Sequence, residues 1–375
     1  MRITKIKVTR LKIPLKKPYV LSKEYGVLKD TQPVIVTVYT DHGTEGYGEC
    51  DPWPLFTGDS APISYLALCA HIGPALIGAD PCNISEIHQI MDRTIRNMQL
   101  TKSAVDMACY DILGKHCDVP VHCLLGGKRR DEIPVMWSVG GGSPEEMAQE
   151  VLKVKEEGYQ GCMIKVGGAD HKLDARRVIQ VRQAVGPDFP LVADANQGWD
   201  VNTAIRFARQ VEECGLMFFE QPVQSWDTEG LARVRRSVTM PVSADEGVAT
   251  IQDAVRLVKE KAADIFSIKV TKHGGIGPAR EICSYARANG IQLFFNSMIE
   301  EGITQAASLA LGAWAEDLVP MGHAYFSPLR LERDISTFSS QIHSGFIQVN
   351  GLPGLGVELD GEAIERYSEE SYTVE

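Results

Sequence analysis

Three carboxylates each stand at the end of a short apolar run: Asp194 in LVADAN, Glu220 in FFEQP and Asp245 in VSADEG. Two lysines bracket them, Lys165 in CMIKVGG and Lys269 in FSIKVTK. Successive positions lie roughly 24 to 29 residues apart, about one strand–helix unit of a parallel barrel. Strand ends converge on one face of such a barrel, so residues scattered in sequence meet in space. Three carboxylates make a hard, oxygen-rich set suited to Mg²⁺, with Mn²⁺ an acceptable substitute. Two lysines on opposite sides suit proton transfer. A cation on a substrate carboxylate acidifies the adjacent C–H, and a neutral lysine removes the proton to leave an enediolate. Burial and the cation bring the lysine pKa down towards neutrality. A lone Asp at a strand end is ordinarily a helix cap, and a lone lysine can snorkel to solvent. Three acids on consecutive strands would repel one another without a cation, which favours the metal reading.

The elements that must hold these residues follow from pattern. From Ile133 onward, short apolar strands alternate with amphipathic helices: VMWSVGG, CMIKVG, LVADAN, LMFFEQ, PVSADE, IFSIKV, QLFFNSM and LVPMG. Eight such strands predict an α/β fold, a modified TIM barrel with a parallel sheet covered on its outer face. An open doubly wound sheet is the rival, but GGGSPEE after the first strand lacks the glycine spacing of a phosphate turn. The opening block is different. Residues 2–13 alternate like a half-buried strand, Lys16 to Asp30 reads as a mobile loop, and PVIVTVYT–DHG–TEGYGEC reads as a hairpin. A loop from Asp51 to Gly58 precedes a helical stretch from Ser60 to about Lys115. The division expected is an α+β capping domain over 1–127, a barrel over 128–337, and a hairpin-like segment over 338–375 that returns to the cap.

Composition narrows the classes. The chain has 375 residues, is 44% hydrophobic and carries a formal net charge of −11, which argues for a globular enzyme and against a nucleic-acid binder. Nine scattered cysteines without a C-x-x-C pair make neither a disulfide framework nor a zinc site. Free thiols in a reducing cytoplasm are expected. The N-terminal MRITKIKVTRLKIPLKK has no signal-peptide core. The most apolar stretch, Tyr65 to Gly78, contains His71 and Pro74 and is too short to span a bilayer. HGGIGPA lacks a nucleotide fingerprint, and neither HExxH nor G-x-S-x-G occurs.

The ordered set DAN, EQP, SADE, KVTKHGG and PGLGVELD, with AVDMACYDILGKHCDVPVHCLLGG (Ala104 to Gly127), resembles the muconate-lactonising subgroup of the enolase superfamily. The resemblance covers nearly the whole chain. It implies a (β/α)7β barrel under an α+β cap, Mg²⁺ on Asp194, Glu220 and Asp245, and Lys165 and Lys269 as acid and base. It implies Asn196 and Glu246 as supporting groups behind the metal ligands, Glu300 in NSMIEEG as a substrate contact, and closing loops at Pro18–Lys29 and Asp51–Gly58. Two departures matter. The subgroup's Lys-x-Lys reads Met163-Ile164-Lys165 here, which argues against muconate cycloisomerase and succinylbenzoate synthase. The Asp-x-Asp of dipeptide epimerases is replaced by MGHAYFSP (Met321 to Pro328). Aromatic residues Tyr19, Trp53, Phe56, Tyr325 and Phe326 could cage a substrate cation, as in a proline betaine. The expected activity is racemisation or epimerisation α to the carboxylate of a small molecule, such as a proline or betaine derivative. A lyase using the same enediolate (hydroxyproline or acid-sugar dehydratase, or cycloisomerase) is the alternative, and a non-catalytic binding scaffold a remote one. The helical outer face fits a homo-oligomer.

Overall fold

A computed structural model describes all 375 residues. The cap begins with β1 (Ile3–Leu11), β2 (Ile13–Val20), β3 (Val27–Thr31), β4 (Val34–Thr40) and β5 (Glu45–Cys50). β4 and β5 pair antiparallel across the Asp41-His42-Gly43 turn, where Gly43 takes φ +75°. β1 pairs β4 on one side. Alternation places Ile6 and Val8 of β1 with Val34, Val36 and Val38 of β4 in a single apolar layer. The helix Gln99–Cys117 lies directly on β5. The approach is close because Gly48 has no side chain: a Cβ there would meet the Ala104 carbonyl oxygen at 1.6 Å.

Lys16 to Asp30 is not a loop. β2 and β3 form an antiparallel hairpin whose tip, Leu21 to Gly26, closes through Leu21 N–H to Gly26 O at 2.9 Å. Lysines at 16, 17 and 23 hide the alternation, but Ile13, Leu15 and Tyr19 are buried and join the barrel's apolar core. The hairpin therefore packs with the barrel although it is threaded through the cap. The Asp51–Gly58 segment holds one helical turn, Pro54–Thr57, which carries Phe56.

After β6 (Glu132–Pro134) the barrel strands run in chain order: β7 (Trp137–Val139), β8 (Cys162–Lys165), β9 (Leu191–Asp194), β10 (Phe218–Glu220), β11 (Val242–Ala244), β12 (Ile265–Ile268) and β13 (Gln292–Phe295). All seven are parallel and adjacent to their neighbours in sequence. The expected eighth strand is only a pair of bridges, Leu293 to Leu318 and Val135 to His323. Pro320 and Gly322 interrupt it, yet the His323 N–H to Pro134 O bond at 2.8 Å still draws the curled sheet towards closure. Inside, Phe218 meets Phe294 edge-on at 5.1 Å and Phe294 stacks on His323 at 5.5 Å, forming an apolar floor.

The tail does two jobs. β14 (Ile342–His343) and β15 (Phe346–Gln348) pair with β6. Further on it returns to the cap: Gly354 bonds Val119 and Val121, Leu355 N–H donates to Asp111 Oδ1 at 2.8 Å, and β16 (Ser368–Val374) pairs antiparallel with β1. All nine cysteines are free, and no helix is long and apolar enough to cross a membrane.

Candidate active site

Register brings the sequence constellation together. In the parallel sheet Lys165 is level with Asp194, and Asp194 with Glu220. The next strand offers Ser243 opposite Glu220, and two-residue alternation returns Asp245 to the same side. Ser243 and Ser267 face each other with hydroxyl oxygens 3.2 Å apart, and Lys269 follows Ser267 by two. All five side chains thus rise at the carboxyl ends of β8 to β12, above the phenylalanine floor.

The carboxylates form a row with a lysine at each end. Lys165 Nζ donates to Asp194 Oδ2 at 2.5 Å. Lys269 Nζ donates to Asp245 Oδ2 at 2.6 Å. Glu220, between them, accepts from Ser267 Oγ at 2.6 Å and Asn296 Nδ2 at 2.7 Å through Oε1. Its other oxygen, Oε2, is buried and has no partner. A buried carboxylate without a cation is costly. Burial, and then Asp194 and Asp245, push Glu220 well above the usual carboxylate range. Burial opposes the charge on both lysines, but Asp194 and Asp245 outweigh it and hold Lys165 and Lys269 above the usual lysine range.

Lys272 was not singled out from sequence. Its Nζ donates to Asp245 Oδ1 at 2.7 Å, Asp245 O at 2.6 Å and Ser267 O at 2.9 Å. The signal was its place three residues after Lys269, because the short helix Val270–His273 turns it back to the same side. Burial would raise Asp245, but Lys269 and Lys272 bring it down to about 2.

These residues suit a hard divalent cation in donor chemistry: three carboxylates, one with an orphaned oxygen. They do not form a finished cage, since no three potential ligands stand together at ion-binding range. The ammonium groups on Asp194 and Asp245 hold those oxygens instead.

The supporting groups are tied to the cap. Asn196 donates its N–H to Asp194 Oδ1 at 2.9 Å and its amide to Glu246 Oε1 at 3.3 Å. Asn196 and the following Gln197 both take left-handed backbone, φ +40° and +65°, strain that recurs where side chains must be aimed. Tyr25, also missed from sequence, reaches down from the hairpin. Its hydroxyl donates to Glu246 Oε1 at 2.8 Å and accepts from Gln197 Nε2 at 2.7 Å. Tyr25→Phe is expected to leave these partners short of a bond and loosen the hairpin tip. Amide exchange at Lys23, whose N–H crosses to Gly167 O at 3.2 Å, should accelerate roughly tenfold or more. Mass-spectrometric hydrogen exchange over Leu21–Gly26 measures this, and unchanged protection would show that the tip is held by other contacts.

The predicted specificity residues divide. Tyr19 donates or accepts at Ser138 Oγ, 2.5 Å away, and its ring lies 4.1 Å from the Arg330 guanidinium and 5.9 Å from Lys165 Nζ. Trp53 stacks on Phe56 at 6.4 Å, and Phe56 lies 4.1 Å from Lys269 Nζ. Glu300 is buried, with Oε2 accepting from Ser297 Oγ at 2.5 Å and Gln305 Nε2 at 2.9 Å. Tyr325 is not brought to the site. Its N–H turns back to His323 O, and its hydroxyl bonds Ser308 O at 3.2 Å under the Gly302–Trp314 helix. The missing side chain of Gly312 leaves room for it there. Phe326 packs on Trp137 at 5.2 Å, away from the carboxylate row. Met163, at the departure from Lys-x-Lys, is fully buried in the barrel.

Comparison with known proteins shows the family. Residues 3–126 match the family Mandelate racemase / muconate lactonizing enzyme, N-terminal domain, and residues 146–364 match Enolase C-terminal domain-like. The N-succinyl-L-Arg/Lys racemase of Bacillus cereus is 34% identical over 97% of both chains. Its crystal structure superposes with a TM-score of 0.96 at 33% identity over the full length of both. Muconate cycloisomerase 1 of Rhodococcus opacus is 32% identical over 98% of this chain and 99% of its own. A dipeptide epimerase from Cytophaga hutchinsonii, solved with Mg and the dipeptide D-Ala-L-Val, superposes with a TM-score of 0.93 at 28% identity over the full length of both. With the barrel, the cap and these full-length matches in agreement, the chain belongs to the mandelate racemase/muconate-lactonising subgroup of the enolase superfamily, among relatives that are isomerases.

Proposed function

We propose that this protein is a Mg²⁺-dependent racemase or epimerase that exchanges the proton α to the carboxylate of an N-acylated amino acid. The observation that carries the reading is the pair of amines, Lys165 and Lys269, at opposite ends of one carboxylate row. A divalent ion held by Asp194, Glu220 and Asp245 would neutralise the charge that builds on the substrate carboxylate. One lysine takes the α-proton, and the C–H electron pair moves into the carboxylate to give an enediolate. The ammonium of the other lysine returns a proton to the opposite face of the same carbon. Each lysine becomes a base when the aspartate that holds its proton turns to another partner. Tyr25 anchors the hairpin tip to Glu246, where the tip would limit access of water to that carbon.

Substrate choice follows from which faces are free. A betaine cage needs open aromatic faces. Here the guanidinium of Arg330 covers Tyr19, Lys269 covers Phe56, and Tyr325 lies elsewhere. An N-acyl amino acid needs no cage around its nitrogen. Support comes from the relatives, one named for N-succinylated amino acids and another solved with a dipeptide. A free dipeptide ammonium lacks its Asp-x-Asp partner, since Met321 to Pro328 contains no acid. The test is loss of the α-proton NMR signal in D₂O with Mg²⁺, across N-acyl amino acids, proline betaines, hydroxyprolines and sugar acids. Exchange of N-acyl amino acids is the expected result. Exchange confined to betaines would overturn the substrate class, and exchange of none would overturn the activity.

A further inference from the structure

Two lysines hold Asp245, and they hold it differently. Lys269 Nζ donates a single hydrogen bond, to Oδ2 at 2.6 Å, and lies under the Phe56 ring at 4.1 Å. Lys272 Nζ donates three, to Asp245 Oδ1 at 2.7 Å, Asp245 O at 2.6 Å and Ser267 O at 2.9 Å. An ammonium has three protons to donate, so Lys272 is saturated and keeps none for a substrate. It is 5% exposed, and its bonds tie the residue that follows β11 to the backbone of β12.

The other end of the row has no counterpart. Lys165 holds Asp194 through Oδ2, and Oδ1 receives only a neutral N–H, that of Asn196 at 2.9 Å. The difference has an electrostatic consequence. Asp245 attracts Lys269 while Lys272 repels it, so the net pull on Lys269 is weaker than the pull of Asp194 on Lys165.

We infer that Lys272 is a positioning residue for one face of the reaction: it fixes the Asp245 carboxylate with Oδ2 towards the row, and its charge offsets the hold of Asp245 on Lys269, so that this amine can leave for the α-carbon. The inference rests on the α-proton exchange proposed above and assigns a part within it. Loss of the Lys272 charge lets Asp245 turn and hold Lys269 more tightly, and both effects slow the same amine. Lys165, bonded to a different aspartate, is left as it was. Partners that stand behind a reacting group in this way alter activity about 10- to 100-fold.

The test uses the full chain with Mg²⁺ and the N-acyl amino acid exchanged fastest in the screen above, presented as each pure enantiomer in D₂O. Lys272→Met keeps the stem and removes the charge, while Asp245 retains Lys269. For the enantiomer that Lys269→Ala disables, kcat should fall by about 10- to 100-fold with KM changed less than about threefold. For the other enantiomer both constants should stay within about threefold. Should Lys272→Met fail to fold, Lys272→Gln, which keeps two donors without the charge, carries the same comparison. Lys272 also lines a cavity of about 410 Å³ bounded by Phe56, Thr57, Met98 and Ala249. Propylammonium added to Lys272→Ala can therefore take the vacated place and should restore the lost exchange, whereas 1-propanol, of like size without charge, should not. A crystal structure of Lys272→Met should show the Asp245 carboxylate turned from its present plane. Unaltered exchange of both enantiomers overturns the inference, as does equal loss on both, the mark of a part that only supports the fold. A turned carboxylate in a protein that exchanges no acid supports the positioning of Asp245 and overturns the proposed activity instead.

Discussion

Alanine at Lys165 should cut α-hydrogen exchange of one substrate enantiomer by about 10²- to 10⁴-fold, and alanine at Lys269 should do the same for the other enantiomer. The asymmetry comes from the row. Lys165 approaches through Asp194 and Lys269 through Asp245, with Glu220 between them. Each amine therefore serves one face of the α-carbon. The measurement is the rate of deuterium uptake from each pure enantiomer. Lys165→Ala also strips buried Asp194 of its cation, with a stability cost of about 3–5 kcal/mol, whereas Asp245 keeps Lys272 when Lys269 is replaced. Methionine at the same positions keeps much of the stem volume and separates that effect from catalysis. If one lysine proves dispensable for both enantiomers, two-sided exchange fails and a one-base lyase becomes the better account. Met163 weighs against cycloisomerisation within that class, since it buries an apolar side chain in place of the subgroup's first lysine.

Removal of the divalent ion should abolish exchange altogether, because the charge forming on the substrate carboxylate would have no counter-charge beyond the lysines. A metal that binds only the folded state stabilises it by about 2.7 kcal/mol at a hundredfold excess over Kd. Dialysis against EDTA should therefore lower Tm as well as activity, and Mg²⁺ should restore both. Glu220→Gln should weaken the Mg²⁺-dependent Tm shift, since it removes charge from the residue whose Oε2 has no protein partner. That readout does not depend on turnover. Undiminished exchange in EDTA, or a Tm indifferent to Mg²⁺, would show that the carboxylate row is not a metal site.

The spacing of Lys165, Asp194, Glu220, Asp245 and Lys269 could be read along the chain because each strand–helix unit has a nearly fixed length and strand alternation fixes the face. The barrel, and the convergence of five residues spread over more than a hundred positions, followed from that regularity. Residues outside the regular units were harder. Lys272 depends on one helical turn after β12, which no periodicity announces. Tyr25 bonds Glu246 across 221 positions, a contact set by how the hairpin sits on the barrel rim. The hairpin itself was masked by lysines whose stems lie along its edge. Tyr325 was misplaced because the backbone reverses at His323, so alternation no longer tells inside from outside.

The pairing of β1 with β16 bears on the order of assembly. The partner for one flank of β1 is translated only after every barrel strand, so that flank stays bare while the barrel forms on the ribosome. A message truncated before residue 368 would yield a protein with its carboxylate- and lysine-bearing strands present and a naked, Val- and Ile-bearing strand edge in its cap. Such an edge recruits other chains, so premature termination here would favour aggregation even where the chemistry-bearing half is intact.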